Sequence, residues 1–430
     1  MMALIFVVVI CSFAMLKLLK YFFNIAVVHA YLRQKVTNTV GSSCSMLILI
    51  PVIREQSVIG NTLLHFLSMN LKDIELYIAI AGTTREKKQE NVLSTREVVE
   101  KWISEQSFED KNIQDIFFCE ADELQGDRAT QLNYAVEYFK DKYPLKNLDY
   151  IGVYDADSLP SAETLQEVNR IFSKNENIVA CQQPVHFVRA ANRMAFEGKN
   201  PILVANALYQ TTWTVIRELP SWIKYAKTSK DELFNENIYL IGHGEFLRLE
   251  TYQKFKFPEF EITDGIQLGY RLGMSNKKIS PLKEFCNDDV PQEIGQLINQ
   301  HKRWFGGCMN LYGAYKWSHA HFKTKAFVQL LDGYWSQICW AFASLAMIIS
   351  LFLSVINEYT ILSLVLIGII VVYSYVVPII SHLILSDRIE VRVRDWLTLP
   401  LAIALKGIGP NWFMLEKLLK GKVVFKKVER

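Results

Sequence analysis

A chain of 430 residues that is 50% hydrophobic, 12% aromatic and only 21% charged is too apolar to sit wholly in water, and its composition excludes a disordered, collagenous or coiled-coil protein. Lysine and arginine total 47 against 44 acidic residues, so the net charge of +3 lacks the basic excess of a dedicated nucleic-acid binder, and no nucleic-acid partner is expected. The seven cysteines are odd in number and widely spaced with no Cys-x-x-Cys pair, which excludes a visible disulfide framework or zinc site, and the eight histidines show no metal-ligand spacing.

Residues 3–23 form an almost continuous apolar run, broken only by Lys17 and Lys20, and at about 1.5 Å per residue it is long enough to cross a bilayer once. Positive charge follows the run, as Lys17, Lys20, Arg33 and Lys35, where a cleaved signal peptide would carry it in front. An uncleaved anchor over residues 1–35 is therefore expected, with the chain leaving it on the cytoplasmic side.

From residue 44 to about 300 the pattern alternates. Apolar runs at 46–53 (MLILIPVI), 75–81 (ELYIAIA), 112–119 and 150–154 (YIGVY) predict strands, with helices over 58–70 and 128–142. This rhythm predicts an α/β fold with a doubly wound, mainly parallel sheet. Ligands of such sheets sit beyond the carboxyl ends of the strands, so the polar residues there are the candidates: Glu55, Gly82, residues 120–128, and Asp155 with Asp157.

Asp155 and Asp157 leave a strand end at i and i+2, where their hard oxygens suit Mg²⁺ or Mn²⁺ and the phosphates such an ion carries. Taken alone, the pair reads more readily as a solvated turn; its place after a buried-looking strand, at the expected switch point, is what favours the cation. Gly126, Asp127 and Arg128, followed by Gln131 and Asn133, open a helix after a loop; backbone amides, helix dipole and guanidinium together suit a diphosphate, or else an ordinary helix start with a surface arginine. Gln300, Arg303 and Trp304 share one helical face, able to present amide, cation and ring to one ligand or to anchor an interfacial helix, here assigned to 301–335.

Between Lys325 and Arg388 there is no lysine or arginine, and two spans fit, at 336–356 and 360–385, joined by the short turn Asn357, Glu358, Tyr359. The segment 386–430 is basic, with Arg388, Arg392, Arg394, Lys417, Lys420, Lys422, Lys426, Lys427 and Arg430 suited to anionic headgroups of membrane lipids. Its apolar stretch 397–408 is short for a fourth span and is expected to be interfacial or re-entrant.

The order of these pieces over residues 44–310 resembles the membrane-integrated family 2 glycosyltransferases of GT-A fold, which include cellulose, chitin and hyaluronan synthases and ceramide glucosyltransferase. Glu55 in IPVIRE looks like the family's early acidic residue, and GDRATQLN at 126–133 is similar to its Gly-Lys-x-x-Ala-Leu-Asn segment with Arg128 for lysine. Asp155 and Asp157 match the cation-binding Asp-x-Asp, QQPVHF at 182–187 resembles the strand and loop that follow, and GHGEFLR at 242–248 resembles the acceptor-side loop. Asp264 in EITDGIQLGYRL matches the catalytic base, and Gln300, Arg303 and Trp304 match Gln-x-x-Arg-Trp. Residues 81–84 carry no acid where the family has a nucleobase-contacting Asp, and Thr263 precedes Asp264 where a Glu is common.

The resemblance implies an inverting, metal-dependent enzyme using Mg²⁺ or Mn²⁺ and a nucleotide-sugar donor, a UDP-sugar by the family's habit. Asp264 would be the base. Glu55, Gly126, Arg128, Asn133, Asp155, Gln300, Arg303 and Trp304 would hold the donor, and Gly242, His243, Gly244 and Trp304 the acceptor. The acceptor it implies is a growing polysaccharide at the cell membrane, reached from a cytoplasmic catalytic domain, with room for an oligomer or export partner. The second reading is a single addition to a glycolipid or lipid-linked acceptor, since three spans make a short export channel; the third is a non-catalytic scaffold binding a nucleotide-sugar.

Overall fold

In the computed structural model the described residues are 1–34, 41–86, 92–106, 113–121, 127–187, 200–229, 232–233, 236–287, 291–318, 323–385, 392–421 and 423. Gly126, Lys35, Arg388, Lys422, Lys426, Lys427 and Arg430 lie outside them. Helix α1 (Met2–Leu32) leads into β1 (Cys44–Pro51), α2 (Ile59–Leu67), β2 (Ile74–Thr83), α3 (Thr95–Glu105), β3 (Ile113–Ala121), α4 (Arg128–Lys142), β4 (Tyr150–Val153) and α5 (Ala162–Lys174). Next come β5 (Ile178–Gln182), β6 (Val185–His186) and a long helix whose halves, α6 (Pro201–Trp213) and α7 (Leu219–Lys227), are joined by a π turn at Thr214–Glu218. Then follow β7 (Glu245–Arg248), α8 (Leu249–Phe255), α9 (Asp264–Met274), β8 (Lys278–Pro281), β9 (Cys286–Asn287), α10 (Ile294–Cys308) and α11 (Leu311–Trp317). The chain continues through α12 (Lys323–Ile356), α13 (Thr360–Val371), a second π turn at Val372–Val376, α14 (Val377–Ile384), α15 (Val393–Leu397), α16 (Leu399–Leu405) and α17 (Ile408–Lys420).

Alternate residues of β1 feed opposite layers. Leu47 and Leu49 join the side chains of α4, among them Leu132, Val136 and Phe139, while Met46, Ile48 and Ile50 join those of α2 and α5. The sheet is thus covered on both faces, as the unbroken apolar run required. Its order is β3-β2-β1-β4-β7-β5-β8, parallel except at β7, which runs antiparallel to β4 and β5. The expected mainly parallel sheet is therefore present, with one reversed strand inserted. The ends of β1, β2 and β4 finish on one edge, and Gln131 ties two of them by donating to the carbonyls of Val52 (3.0 Å) and Ala81 (3.1 Å).

Among the described residues three helices are long and apolar enough to cross a membrane: Met2–Leu32, Thr324–Ile356 and Thr360–Ile384. The second starts well before the expected residue 336, so its first turns fall inside the segment expected to be interfacial, 301–335. Its first turns are polar because the domain partners them: Lys325 donates to Asn276 Oδ1 (2.8 Å) and Asp332 accepts from the Asn237 amide (2.8 Å). Hydropathy could not mark such turns as part of the same helix. The stretch 397–408 contains only the short α16, whose Leu399, Ala402 and Ile403 pack on Ala205, Leu208 and Tyr209 of α6.

Candidate active site

The helix that follows β3 begins where its sequence predicts. Asp127 caps α4 by accepting from the Thr130 amide (3.0 Å), which leaves Arg128 as the first helical residue, facing the ends of β4 and β7. Its guanidinium is forked across three segments distant in sequence: Nη1 meets Asp264 Oδ2 at 2.6 Å, Nη2 meets Asp155 Oδ1 at 3.1 Å, and Nη2 also donates to the Gly242 carbonyl. Burial opposes the charge, but the carboxylates of Asp264, Asp155 and Glu245 more than offset it, so Arg128 is held firmly cationic. Gly242 reaches this position with φ of 91°, in the left-handed region that favours glycine. His243 Nδ1 lies 3.8 Å from Asp155 Oδ2.

Asp264 opens α9, so its carboxylate stands at a helix N-terminus with a side-chain exposure of 11%. The helix bearing Gln300, Arg303 and Trp304, α10, docks directly beside it. Gln267 of α9 donates to the Gly307 carbonyl (2.8 Å), and a side chain at Gly307 would overlap Thr263, the residue before Asp264. Thr263 and Gly307 are thus a matched pair of small residues, which accounts for threonine at a position the resemblance gives to glutamate.

Glu245, which no sequence pattern singled out, is part of the same cluster. It is fully buried at the start of β7, and burial, then the neighbouring Asp264 charge, pushes its carboxyl up to about 8 against the lowering pull of Arg128 and His243. The one signal available in the sequence was an acid directly after Gly242–His243–Gly244, opening the short strand EFLR.

A cavity of about 1370 Å³ gathers the site. Its walls include Glu55, Arg128, Asp155 and Asp264, then Gly242 with His243, and Gln300, Arg303 and Trp304. Three expected contacts stand apart from these walls. Asn133 is outside the cavity: its amide donates to the Phe257 carbonyl (2.9 Å) and Glu259 Oε1 (2.7 Å) and accepts from the Phe257 amide (3.1 Å), so it fixes the loop ahead of α9 rather than facing a donor. Gly244 is turned toward Gln183, and Asp157 sits half-buried behind Asp155 with Oδ1 enclosed.

Among the described residues no group of three or more His, Cys, Asp or Glu side chains is placed to hold a metal ion. Two carboxylates after β4 still fit a hard divalent cation, because Mg²⁺ is commonly held by one or two carboxylates with substrate phosphates and water completing its shell.

A mainly parallel sheet of GT-A type, with an acidic doublet and an arginine fork at its switch edge, defines a glycosyltransferase framework. The profile of the glycosyl transferase family group 2 matches residues 150–377, more than half of the chain, and the protein belongs to that family. No curated protein matches the sequence. Among solved structures, the chain is similar to the mannosyltransferase PcManGT from Pyrobaculum calidifontis in complex with GDP-Man and Mn²⁺, at 12% identity, 94% coverage of this chain, 99% of that one and a TM-score of 0.49. It is also similar to S. aureus TarS 1-349, at 12% identity, 88% and 92% coverage and a TM-score of 0.41.

Proposed function

We propose that the protein is an inverting glycosyltransferase that moves a sugar from a nucleotide-sugar to an acceptor presented at the membrane. The observation that carries this reading is the convergence of Arg128, Asp155 and Asp264 on one cavity that also reaches Trp304. In the reaction the acceptor oxygen attacks the anomeric carbon as the bond to the diphosphate breaks, and Asp264 takes the acceptor's hydroxyl proton. Arg128 holds Asp264 and Asp155 before the donor arrives; an incoming diphosphate competes for its guanidinium and releases the Asp264 carboxylate to act as base. Asp155 and Asp157 would hold Mg²⁺ or Mn²⁺, which when bound neutralises charge on the departing diphosphate.

Of the two acceptors expected, we favour the lipid-borne one over the polysaccharide, because the cavity lined by Trp304 is also lined by Tyr373 and Lys406 and by helices with the length to cross a bilayer. The base of the donor stays open, residues 81–84 offering no acid to a uracil. Lys17 and Lys20 in the second half of the apolar run, with Arg33 after α1, favour a catalytic domain on the cytoplasmic face of the cell membrane.

The test is transfer from radiolabelled nucleotide-sugars to a membrane extract. Asp264→Asn should retain donor binding and lose transfer by about 10²- to 10⁴-fold; near-normal turnover would remove the base. The same assay should fail in excess EDTA, and its product should be one lipid-extractable increment, whereas a ladder of long chains would restore the polysaccharide reading. For orientation, a single cysteine replacing Glu358, in a background without native cysteines, should be labelled by impermeant maleimide on intact cells. Labelling only after lysis would invert the topology.

A further inference from the structure

The cavity continues beyond the site just described, and there it is lined by a cation, Lys406, that no carboxylate among the described residues answers. Lys406 caps α16 and faces this end. Its Nζ donates to the Tyr209 hydroxyl and lies 3.4 Å from that of Tyr373, and the two hydroxyls are themselves 2.6 Å apart. Aromatic faces surround it, with ring centroids at 4.2 Å for Tyr209, 5.5 Å for Trp213 and 5.9 Å for Tyr373. Among the described residues no carboxylate stands within ion-pair distance of Lys406, whereas on the same cavity Lys20 has one and Arg128 and Arg217 have two each. Burial accordingly pushes the Lys406 ammonium down to about 7, the nearby Cys339 opposing the shift.

A cation desolvated without an anion is expensive to keep unless a ligand supplies the missing charge. Two further observations point to a ligand. The helices walling this end each carry a π turn, Thr214–Glu218 and Val372–Val376, and both turns line the cavity through Glu218 and Tyr373. Such turns weaken a helix locally and are concentrated at functional sites. Besides the polar Gln210, Glu218 and Ser374, the wall carries apolar side chains, Ile10 and Phe13 of α1 and Ile369 of α13, which suit a hydrocarbon as the ligand's other part. An ammonium and two phenol hydroxyls around one point are three donors, a set that matches the several acceptor oxygens of a phosphate.

We propose that this end of the cavity binds the phosphate head of a membrane lipid, with Lys406 as its counter-charge and Tyr209 and Tyr373 as hydroxyl donors. The proposal rests on the reading of the acceptor as lipid-borne, and makes that acceptor a saccharide-bearing lipid phosphate whose sugar end lies toward Trp304 and Asp264.

The experiment uses the full chain in maltoside micelles and a photoreactive dodecyl phosphate, without donor and without turnover. Labelling of wild type should map to the peptides carrying Tyr209 and Tyr373, be displaced by unlabelled dodecyl phosphate, and resist dodecanol and inorganic phosphate. Lys406→Met should lower it by about tenfold or more, the scale of one charge-assisted hydrogen bond, while Lys406→Arg retains it. The double change Tyr209→Phe with Tyr373→Phe, which keeps both rings, should lower it as well. Wild-type labelling in Lys406→Met, or equal displacement by dodecanol, would overturn a phosphate site, and displacement by inorganic phosphate alone would overturn the lipid as its source. Because the readout involves neither Asp264 nor transfer, it can fail while the glycosyltransferase reading stands, and the reverse.

Discussion

Glu245 sits where charge is least welcome. It is enclosed beside Asp264, and Oε2 lies 3.0 Å from where a side chain on Gly265 would begin, so a methyl there would crowd both the carboxyl and the Gly242 backbone. With its carboxyl pushed up to about 8 from the ordinary 4.5, the folded site keeps a proton that the unfolded chain gives up. Its contribution to stability is therefore complete below about pH 4.5 and is lost as pH rises through about 8, at roughly a kcal/mol per pH unit. Glu245→Gln has no proton to lose, so its melting temperature relative to wild type should climb between about pH 5 and about pH 9; a gap that stays flat with pH would mean the carboxyl is ionised throughout. Asp155 and Arg128 could be picked out in the sequence because each is a polar residue directly after a strand or at a helix start, whereas Asp264 was reached only through the family resemblance. Asn133 shared their segment but lies five positions into α4, where the helix has turned it toward Phe257, and single-residue direction of that kind is not written in a motif.

Helix α9 shows how a whole element is held to place one carboxylate. Gly265 and Gly269 lie four apart, on one face, and both press against the chain between Tyr239 and Gly242. A side chain at Gly269 would overlap the Leu240 amide and the Tyr239 backbone, and backbone cannot yield as a flexible side chain can. Gly269→Ala should therefore lift the helix and cost about 1–3 kcal/mol of overpacking, seen as a lowered melting temperature together with reduced transfer; a variant that melts and turns over like wild type would show the helix is not seated so closely. The elements legible beforehand were those with one clear period. β1, β2 and β4 announced themselves by unbroken apolar runs, and α4 starts and ends at the expected residues because its cap and its last turn are both local. The reversal of β7 was not legible, since pairing direction depends on partners far off in sequence. Nor were the π turns, which keep a helical composition.

At the scale of the molecule, a knot of charge fastens the membrane helices to the catalytic domain. Glu236 accepts from Arg217 and pairs with Lys20 of α1 at 3.1 Å, Arg217 reaches Asp332 of α12 at 3.3 Å, and Lys224 of α7 donates to Asn24 of α1 at 2.6 Å. Burial alone would raise the Glu236 carboxyl, yet Arg217, Lys20 and Lys224 with the Ser221 hydroxyl hold it down to about 2. Hydropathy had read Lys20 only as a flanking charge of the first span, because the acid that answers it is more than two hundred positions away. This arrangement bears on catalysis: α1, α12 and the π turn that carries Arg217 are also walls of the cavity, so the same pairs that dock the domain set the width of its membrane end. Arg217→Met strips the shared cation; Lys20 and Lys224 still answer Glu236, but Asp332 is left half-buried without its cation, a change worth about 3 kcal/mol or less. It should lower the melting temperature by several degrees, and adding Asp332→Asn should recover part of the loss, since the orphaned charge is then removed. If Arg217→Met melts with wild type, or if the second change deepens the loss, the domain is held to its membrane helices by apolar packing and the charged knot is incidental.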